Sequence, residues 1–571
     1  MAAGTMMLTP DRFAHLGELL REATLTFKSE VALITYRRGQ EYARYTYLEF
    51  KHRAEALAGW LREAGIGPGD RVAVMLTNQP GWLEAAYAVF ARGAVLVPLD
   101  YKLDADTQKA LLTHSGARIL FTEYGLMRRL DACPCSAVVR EWPESEPLPS
   151  NTMRWEAAAA TPGYTQLEAR SREDTATIVY SSGTSGRPKG CMLSHGAYLS
   201  QYGSLAALYP ITTGDRYFSI LPTNHAIDFM VGFIGPFGGG ATVVHEATLR
   251  PDTVRATLAA AGITHMAVVP LLLEAFERRI DEAVATLPQW KQRAFHALER
   301  AFAALSPRPE SMPLRARVFS QVHAAFGGKL KMLIAGGAWV DPRRAARFTH
   351  LGIPVVIGYG LTEACTVVTV NDLKPFRGDS VGIPLPGLQV EVRSATGGDT
   401  GEVWVKGPSL MQGYLDDPTL TAETLVDGWL RTGDIGCFDA TGHLQLLGRQ
   451  KNMIVTAGGK NVYPEDVESS LELAGIEELA VFSSAYLWPQ TRLGAETLVA
   501  VVRPALGTDV TALTEALKAR SQTLPEHKRI GAVVTVTEAF PRTASMKVKR
   551  ETLAEILRNT QGPEAAVPVA A

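Results

Sequence analysis

Apolar and polar positions along this chain switch repeatedly between a helical and a strand pattern from Thr46 onward. In "YLEFKHRAEALAGWLREAG" the apolar residues recur at the spacing of one helical face, and the run stops at Gly65. "DRVAVML" is a short apolar run of strand character, and "PGWLEAAYAVFARG" reads as a helix opening at Pro80. "AVLVPL" is a strand again, and "ARILFT" is another after a further helix. Strands alternating with helices of this length predict βαβ units and a mostly parallel sheet. The alternation resumes at "TIVY", "THMAVVP", "LKMLIAGG" and "IPVVIGYG".

Between Leu273 and Phe326 the chain becomes long-helical and charged. Phe295, Leu298, Phe302 and Leu305 fall at helical spacing there, which predicts an amphipathic helix packed on the body. A substrate-tunnel wall or a membrane-facing patch is the alternative. After Gly382 the texture turns to short strands, "VEVRS", "GEVWVKG" and "HLQLLG", which predict a β-rich module. From about Gln450 a second domain is expected, with strands near "ELAVFSS" and "TLVAVV" and a helix after Asp509. A strand at "GAVVTVT" and a final helix after Arg550 complete it. The Ala/Pro-rich end, "GPEAAVPVAA", reads as a frayed tail. The domain reading is therefore 1–449, 450–560 and a disordered 561–571.

Composition narrows the class. At 571 residues several domains are expected, and 46% apolar with 20% charged residues is ordinary for a globular protein. Lys plus Arg number 57 against 59 acidic residues, so no net field favours nucleic acid. Five cysteines are too few for a disulfide framework, and the "CPC" of Cys133 and Cys135 fits no common zinc spacing. A reducing cytosol is the expectation. No signal peptide is apparent in "MAAGTMMLTPDRF", and no stretch of apolar residues is long enough to span a membrane. Peripheral membrane contact stays open, because it needs no spanning segment.

The chemistry concentrates in "YSSGTSGRPKG", residues 180–190. A P-loop needs G-x-x-x-x-G-K-[ST], but here two residues separate Gly183 from Gly186, and Arg187 follows. The usual nucleotide-hydrolase loop is thereby excluded. The run nevertheless sits between "TIVY" and "CMLSH", is dense in hydroxyls and lacks acidic residues, as a phosphate cradle would.

This loop resembles the signature loop of the adenylate-forming superfamily: acyl-CoA synthetases, peptide-synthetase adenylation domains and firefly-type luciferases. "GYGLTEAC" (358–365) resembles the superfamily's Y-G-x-T-E motif. "GWLRTGDIGCFDATGHLQLLGRQKNMIVTAGGKNVYPEDVE" (428–468) resembles its longest signature, and "FPRTASMKVKR" (540–550) its terminal lysine motif. The likeness spans about residues 30–558, with the motifs in the family's order. It implies an α/β fold: a large N-terminal domain of two parallel-sheet α/β halves plus a β-rich subdomain, then a small α+β C-terminal domain on a hinge.

The resemblance also implies roles. Ser182, Thr184, Ser185 and Lys189 would hold the β- and γ-phosphates of ATP, with Gly183 and Gly186 supplying flexibility. Gly336, Gly337 and Ala338 resemble the adenine-contacting segment, for which a tight strand-to-loop turn is the structural alternative. Tyr359 beside Gly360 would stack on the adenine, and Thr362 would reach the α-phosphate. Glu363, with Thr184, would ligate Mg²⁺. Asp434 would accept hydrogen bonds from the ribose hydroxyls, and Arg449 would contact ribose or phosphate. Lys451 occupies the hinge position. His225 in "LPTNHAIDF" aligns with the acyl-pocket position, with a satisfied core histidine as its alternative. Gly458 matches the glycine that admits the pantetheine of coenzyme A. Lys547 matches the catalytic lysine of adenylation. One departure is plain: the family's glycine before that lysine is Met546 here, which removes backbone freedom.

The implied activity is ATP-dependent conversion of a carboxylic acid to acyl-AMP and then to acyl-CoA. The helical stretch before "LKMLIAGGA" resembles the long-chain fatty acid–CoA ligase branch, so a medium- to long-chain fatty acid is expected, with an aryl acid as the alternative. An acyl carrier protein as acceptor is the nearest rival. No insertion of the kind those ligases carry lies between Lys451 and Glu468, which favours CoA.

Overall fold

The computed structural model describes residues 7–569 apart from 182–188, 306–310, 372–375, 395–396, 456–460, 489–496 and 543–547. Two compact units divide the chain: 1–390 with 405–430, and 391–404 with 431–571.

The first unit is built on two sheets. The eight-stranded one runs in the order Gly413–Tyr414, Lys189–Ser194, Thr175–Ser181, Val95–Pro98, Arg71–Met75, Ile119–Glu123, Ser136–Arg140, Thr152–Arg154. Its strands from Thr175–Ser181 to Thr152–Arg154 are parallel, and the hairpin partner Lys189–Ser194 is antiparallel. The nine-stranded one runs Ile383–Pro384, Thr369–Val370, Val355–Tyr359, Met332–Ala335, His265–Val268, Arg216–Phe218, Thr242–Glu246, Val31–Arg37, Gln40–Thr46. Val355–Tyr359 through Val31–Arg37 are parallel neighbours, as the alternating pattern predicts. The edge hairpin Val31–Thr46 precedes the point where alternation is legible. Its turn residues Arg38 and Gly39 both have positive φ, 54° and 76°, the geometry of a tight two-residue hairpin.

Local chemistry fixes the helices. Thr46 and Glu49 form a reciprocal capping box at the start of Tyr47–Glu63, and Gly65, with φ of 72°, lies just past its end. Helix Pro80–Ala91 is buried along its whole length, and its one carboxylate, Glu84, pairs with Arg53 at 2.5 Å. The apolar core around it is an edge-to-face chain of rings linking Tyr47, Phe50, Phe237, Phe233, Phe229 and Phe90.

Between His265–Val268 and Met332–Ala335 the crossover expands into helices Pro270–Ala285, Gln289–Ala303, Met312–Val318 and Ser320–Ala325. Phe295 and Phe302 pack on Phe319, as amphipathic spacing predicts. Leu298 and Leu305 do not: Leu298 is 42% exposed because the buried arc of this surface helix is narrow, and Leu305, 59% exposed, lies beyond the helix end at Ala303. Arg347 ties the excursion down through Glu277, Asp281 and Glu299.

The second unit carries the antiparallel pair Trp429–Phe438 and Leu444–Arg449 from Arg431 onward. A four-stranded sheet follows, in the order Ile476–Ser483, Leu498–Pro504, Ile530–Thr535, Val567–Pro568, with helices Pro464–Ser470, Val510–Gln522 and Arg550–Thr560. The expected frayed tail is instead a strand. Val567–Pro568 pairs with Ile530–Thr535, and the flanking Ala566 and Val569 are buried at 7% and 4% exposure, a docking that the Ala/Pro-rich composition hides. All five cysteines are free, and among the described residues no helix is long and apolar enough to cross a membrane.

A polar knot lies where the two sheets of the first unit approach. Asp228, fully buried, accepts hydrogen bonds from Tyr217 (2.9 Å), Ser219 (2.7 Å) and Thr223 (3.1 Å). Burial raises its pKa to about 6 against those hydroxyl donors. Asn78, after strand Arg71–Met75, donates to the Leu221 carbonyl (2.5 Å) and the Ser219 hydroxyl (2.9 Å) and accepts from the Thr223 N–H (3.0 Å). A Cβ on Gly232 would lie 2.7 Å from the Asp228 carboxylate, so a side chain there is excluded.

Because the folded pKa of Asp228 lies above the ordinary 3.8, the folded protein holds a proton that the unfolded chain has released between about pH 4 and 6. Stability from this group is therefore present below about pH 4 and lost as pH rises through about 6. Asp228→Asn removes the titration. Wild type should lose roughly 2–3 kcal/mol of unfolding free energy relative to the variant between pH 4 and 7. A difference that stays flat across that range would contradict the assignment.

Candidate active site

Parallel strands deliver their loops to one edge of a sheet, and the candidate residues of the first unit lie on such loops. Met332–Ala335 leads into Gly336–Ala338, Val355–Tyr359 into Gly360, and Arg216–Phe218 into the segment that ends at His225. The register Ala335↔Ile357 brings Gly336 beside Gly358. A Cβ on Gly336 would stand 2.9 Å from the Gly358 carbonyl and 3.9 Å from the Ile227 side chain. Gly337 has φ of 82° and faces open space, and Ala338 is exposed beside it. The result is a ledge of nearly bare backbone.

Tyr359 closes its strand against Thr369 and is 9% exposed. Gly360 follows because nothing else fits: a Cβ there would lie 1.7 Å from the Thr366 carbonyl. The chain then makes a short turn, Thr362–Ala364, and doubles back through Cys365 and Thr366, whose φ values of 58° and 113° are rare for side-chain-bearing residues. That turn presents Glu363.

The Glu363 carbonyl accepts the Met411 N–H at 2.8 Å, and its Oε1 accepts the Tyr414 hydroxyl at 2.9 Å. Burial, and then the Glu363 charge, push the Tyr414 phenol well above its ordinary pKa, so it stays protonated and donates. The Lys189 ammonium stands 5.4 Å from the centre of the Tyr414 ring. Lys189 is held there as the first residue of strand Lys189–Ser194, whose Cys191 pairs with Tyr414. Two motifs far apart in sequence thus meet on one tyrosine that sequence reasoning missed. It stands in "MQGYLDD", a short mixed run that matches no motif.

His225 precedes helix Ala226–Phe229, and its Nε2 lies 3.9 Å from Asp100 Oδ2. Asp100 follows strand Val95–Pro98 of the other sheet, so two sheets contribute to this wall. Asp100 also escaped the sequence reading, because a lone aspartate after a strand is common.

In the second unit Asp434 and Arg449 face each other across Trp429–Phe438 and Leu444–Arg449. Arg449 Nε pairs with Asp434 Oδ1 at 2.8 Å, with the Asp434 side chain 7% exposed. Lys451 is exposed in the turn Gln450–Asn452 just beyond. Ser182, Gly183, Thr184, Ser185, Gly186, Gly458 and Lys547 lie outside the described residues.

Among the described residues no three His, Cys, Asp or Glu side chains gather as a metal cage. A lone oriented carboxylate such as Glu363 suits a hard cation that takes its other oxygens from phosphates and water, which is how Mg²⁺ is usually held.

The chain is similar to known proteins. It is 30% identical over 511 residues to a feruloyl-CoA synthase of an Amycolatopsis species, covering 88% of this chain and 92% of that one. It is 28% identical over 448 residues to the long-chain-fatty-acid–CoA ligase FadD15 of Mycobacterium bovis, covering 75% and 73%. Among solved structures, O-succinylbenzoate coenzyme A synthetase from Bacillus subtilis, in complex with ATP and magnesium ion, superposes with a TM-score of 0.72 at 22% identity, covering 94% of this chain and 98% of that one. The family model described as AMP-binding enzyme matches residues 20–415, and the chain belongs to that family.

Proposed function

We propose that the protein is an acid–CoA ligase working through an acyl-adenylate. The observation that carries this is the meeting of Lys189 and Glu363 on Tyr414: a cation near its ring and a carboxylate oriented by its hydroxyl. The named activities of the relatives support the same reading.

In the first half-reaction a carboxylate oxygen of the acid attacks the α-phosphorus of ATP. The bond to the pyrophosphate oxygen breaks, and pyrophosphate leaves with the electron pair. The acid is already ionised at neutral pH, so no general base is required and charge stabilisation dominates. Lys189 and the hydroxyls of Thr184 and Ser185 face the departing phosphates in this proposal. Lys547 bridges the attacking carboxylate and the α-phosphate, and Thr362 contacts the latter. Glu363, with Thr184, would hold Mg²⁺, which neutralises phosphate oxygens when bound. Tyr359 and the Gly336–Ala338 ledge take the adenine, and Asp434 takes the ribose hydroxyls with Arg449 beside it. In the second half-reaction the CoA thiol attacks the acyl carbon and the bond to AMP breaks. Gly458 admits the pantetheine arm, and a turn about Lys451 exchanges Lys547 for Gly458.

The acid we propose carries an apolar body, and two readings of that body each have an observation behind them. A fatty acid is favoured by the likeness to FadD15. An aryl acid is favoured by feruloyl-CoA synthase, which matches a larger share of both chains. The helical excursion gives fatty acid little added weight, since helix Gln289–Ala303 has no fully buried residue and lies on the surface. Turnover across acids from acetate to palmitate, with benzoate, ferulate and indoleacetate, each with and without CoA, separates the two. CoA-dependent AMP formation that peaks in one class names the substrate, and acyl-AMP that CoA cannot discharge would point to a carrier protein instead.

Two variants test the roles. Lys547→Ala should slow ATP–pyrophosphate exchange by roughly 10²–10³-fold while sparing thioester formation from supplied acyl-AMP. Equal loss in both would remove Lys547 from the first step. Glu363→Gln should slow exchange by about 10²-fold and shift its Mg²⁺ dependence to higher concentration. An unshifted Mg²⁺ titration would take the metal role away from Glu363.

A further inference from the structure

Two thiols that the candidate active site does not use face each other at the opposite edge of the eight-stranded sheet. Cys133 and Cys135 lie just before strand Ser136–Arg140, which runs parallel to Ile119–Glu123, Arg71–Met75 and Val95–Pro98. They therefore stand at the amino-terminal edge of these strands, whereas Asn78 and Asp100 follow the carboxyl ends of theirs.

The local chain brings both sulfurs to one point. Asp131 has φ of 60° and ψ of −57°, and the Ala132 N–H donates to the Leu130 carbonyl at 2.6 Å, a tight and strained three-residue turn. The chain bends again at Pro134. Asn151 Nδ2 clamps this bend, donating to the Cys135 carbonyl at 2.9 Å and to the Cys133 carbonyl at 3.4 Å. The two Sγ atoms end 3.7 Å apart, in contact and unbonded.

Packing alone does not account for this pair. Cys191 and Cys365 fill the interior and are fully buried, as free cysteines usually are. Cys133 and Cys135 are only half-buried, and Cys135 lines an open groove with Trp60, Ile66 and Arg118. The Cys135 thiol donates to the Cys133 sulfur. That bond, aided by the Cys135 N–H, outweighs burial and brings the Cys133 pKa down to about 7. The Cys135 thiol, as donor, is pushed up and keeps its proton. Cys437, the remaining half-buried cysteine, is pushed up by burial and meets Gln445 at 4.0 Å instead of a thiol.

The span also suits closure. A disulfide holds its sulfurs at about 2.0 Å and its Cα atoms at about 4.4–6.8 Å. Residues two apart lie at most about 7 Å from each other when fully extended, and the bend at Pro134 shortens that reach. Rotation of the two side chains supplies the rest.

We propose that Cys133 and Cys135 form a redox modification site, a dithiol that closes reversibly to a disulfide by exchange with small-molecule disulfides. The Cys133 thiolate attacks one sulfur of the reagent, whose S–S bond breaks, and the first small thiolate leaves with the electron pair and takes up a proton. Cys135 then gives up its proton and attacks the Cys133 sulfur, expelling the second small thiolate, which is protonated in turn. The protein loses two electrons and two protons, and the reagent becomes two thiols. This site goes beyond the acid-activation reading and does not rest on it.

The test exposes the reduced full chain to glutathione disulfide, quenches with acid, alkylates the remaining thiols and maps the peptides by mass. The peptide carrying both cysteines should be unalkylated and lighter by two hydrogens. The denatured product should titrate three thiols, the five of the reduced chain less the bonded pair, and dithiothreitol should restore all five. Cys135→Ser should stop at a mixed disulfide with glutathione on Cys133, and Cys133→Ser should keep its thiols under the same exposure. If a serine variant does not fold, the wild-type peptide map decides alone. Five thiols surviving in wild type, glutathione persisting on Cys133 without closure, or a bond that joins other cysteines would each overturn the proposal. None of these readouts involves acid activation, so the site stands or falls independently of the proposed function.

Discussion

The first unit depends on a polar knot in an apolar interior. Its two sheets are built separately from βαβ units, and apolar packing between them is non-directional. The Asn78 and Asp228 side chains supply the direction. Asn78 comes from the eight-stranded sheet and bonds three alternate positions, Ser219, Leu221 and Thr223, on a loop of the other sheet. Asp228 gathers the hydroxyls of Tyr217, Ser219 and Thr223 from below. The polar side chains of this knot are buried, so a mismatch would leave unsatisfied polar atoms at a cost of about 1–3 kcal/mol each. That penalty fixes one register of sheet against sheet, and with it the approach of His225 to Asp100. The same carboxylate forbids a side chain at Gly232, so the buried helix running from Ala226 is specified from the same point.

Charges at the candidate site are likewise held by neighbours rather than by the motifs that contain them. Glu363 is oriented by Tyr414, Lys189 lies over the same ring, and Asp434 is fixed by Arg449. On the proposed reading, each of these groups is placed before substrate arrives, as a reaction driven by charge stabilisation would require. A net charge of −2 on the whole chain is compatible with this, because the field that matters is arranged over a few ångströms and not summed over the surface.

Much of the fold was legible because it is written locally. Strands such as Arg71–Met75 and Val355–Tyr359 are apolar runs between turn residues, and helix Tyr47–Glu63 shows one apolar face that stops at Gly65. The edge hairpin Val31–Thr46 was not legible, since its outer strand, "QEYARYT", is polar on both faces where solvent covers it. Nor was the terminal strand: a two-residue pairing leaves no periodicity to read. Leu298 and Leu305 misled in the other direction, since helical spacing defines neither how much of a face the neighbours cover nor where the helix stops, which is before Leu305. The site followed the same rule. Residues inside dense motifs were found, while Tyr414 and Asp100 were missed because their meaning comes from partners 51 and 125 positions away in the chain.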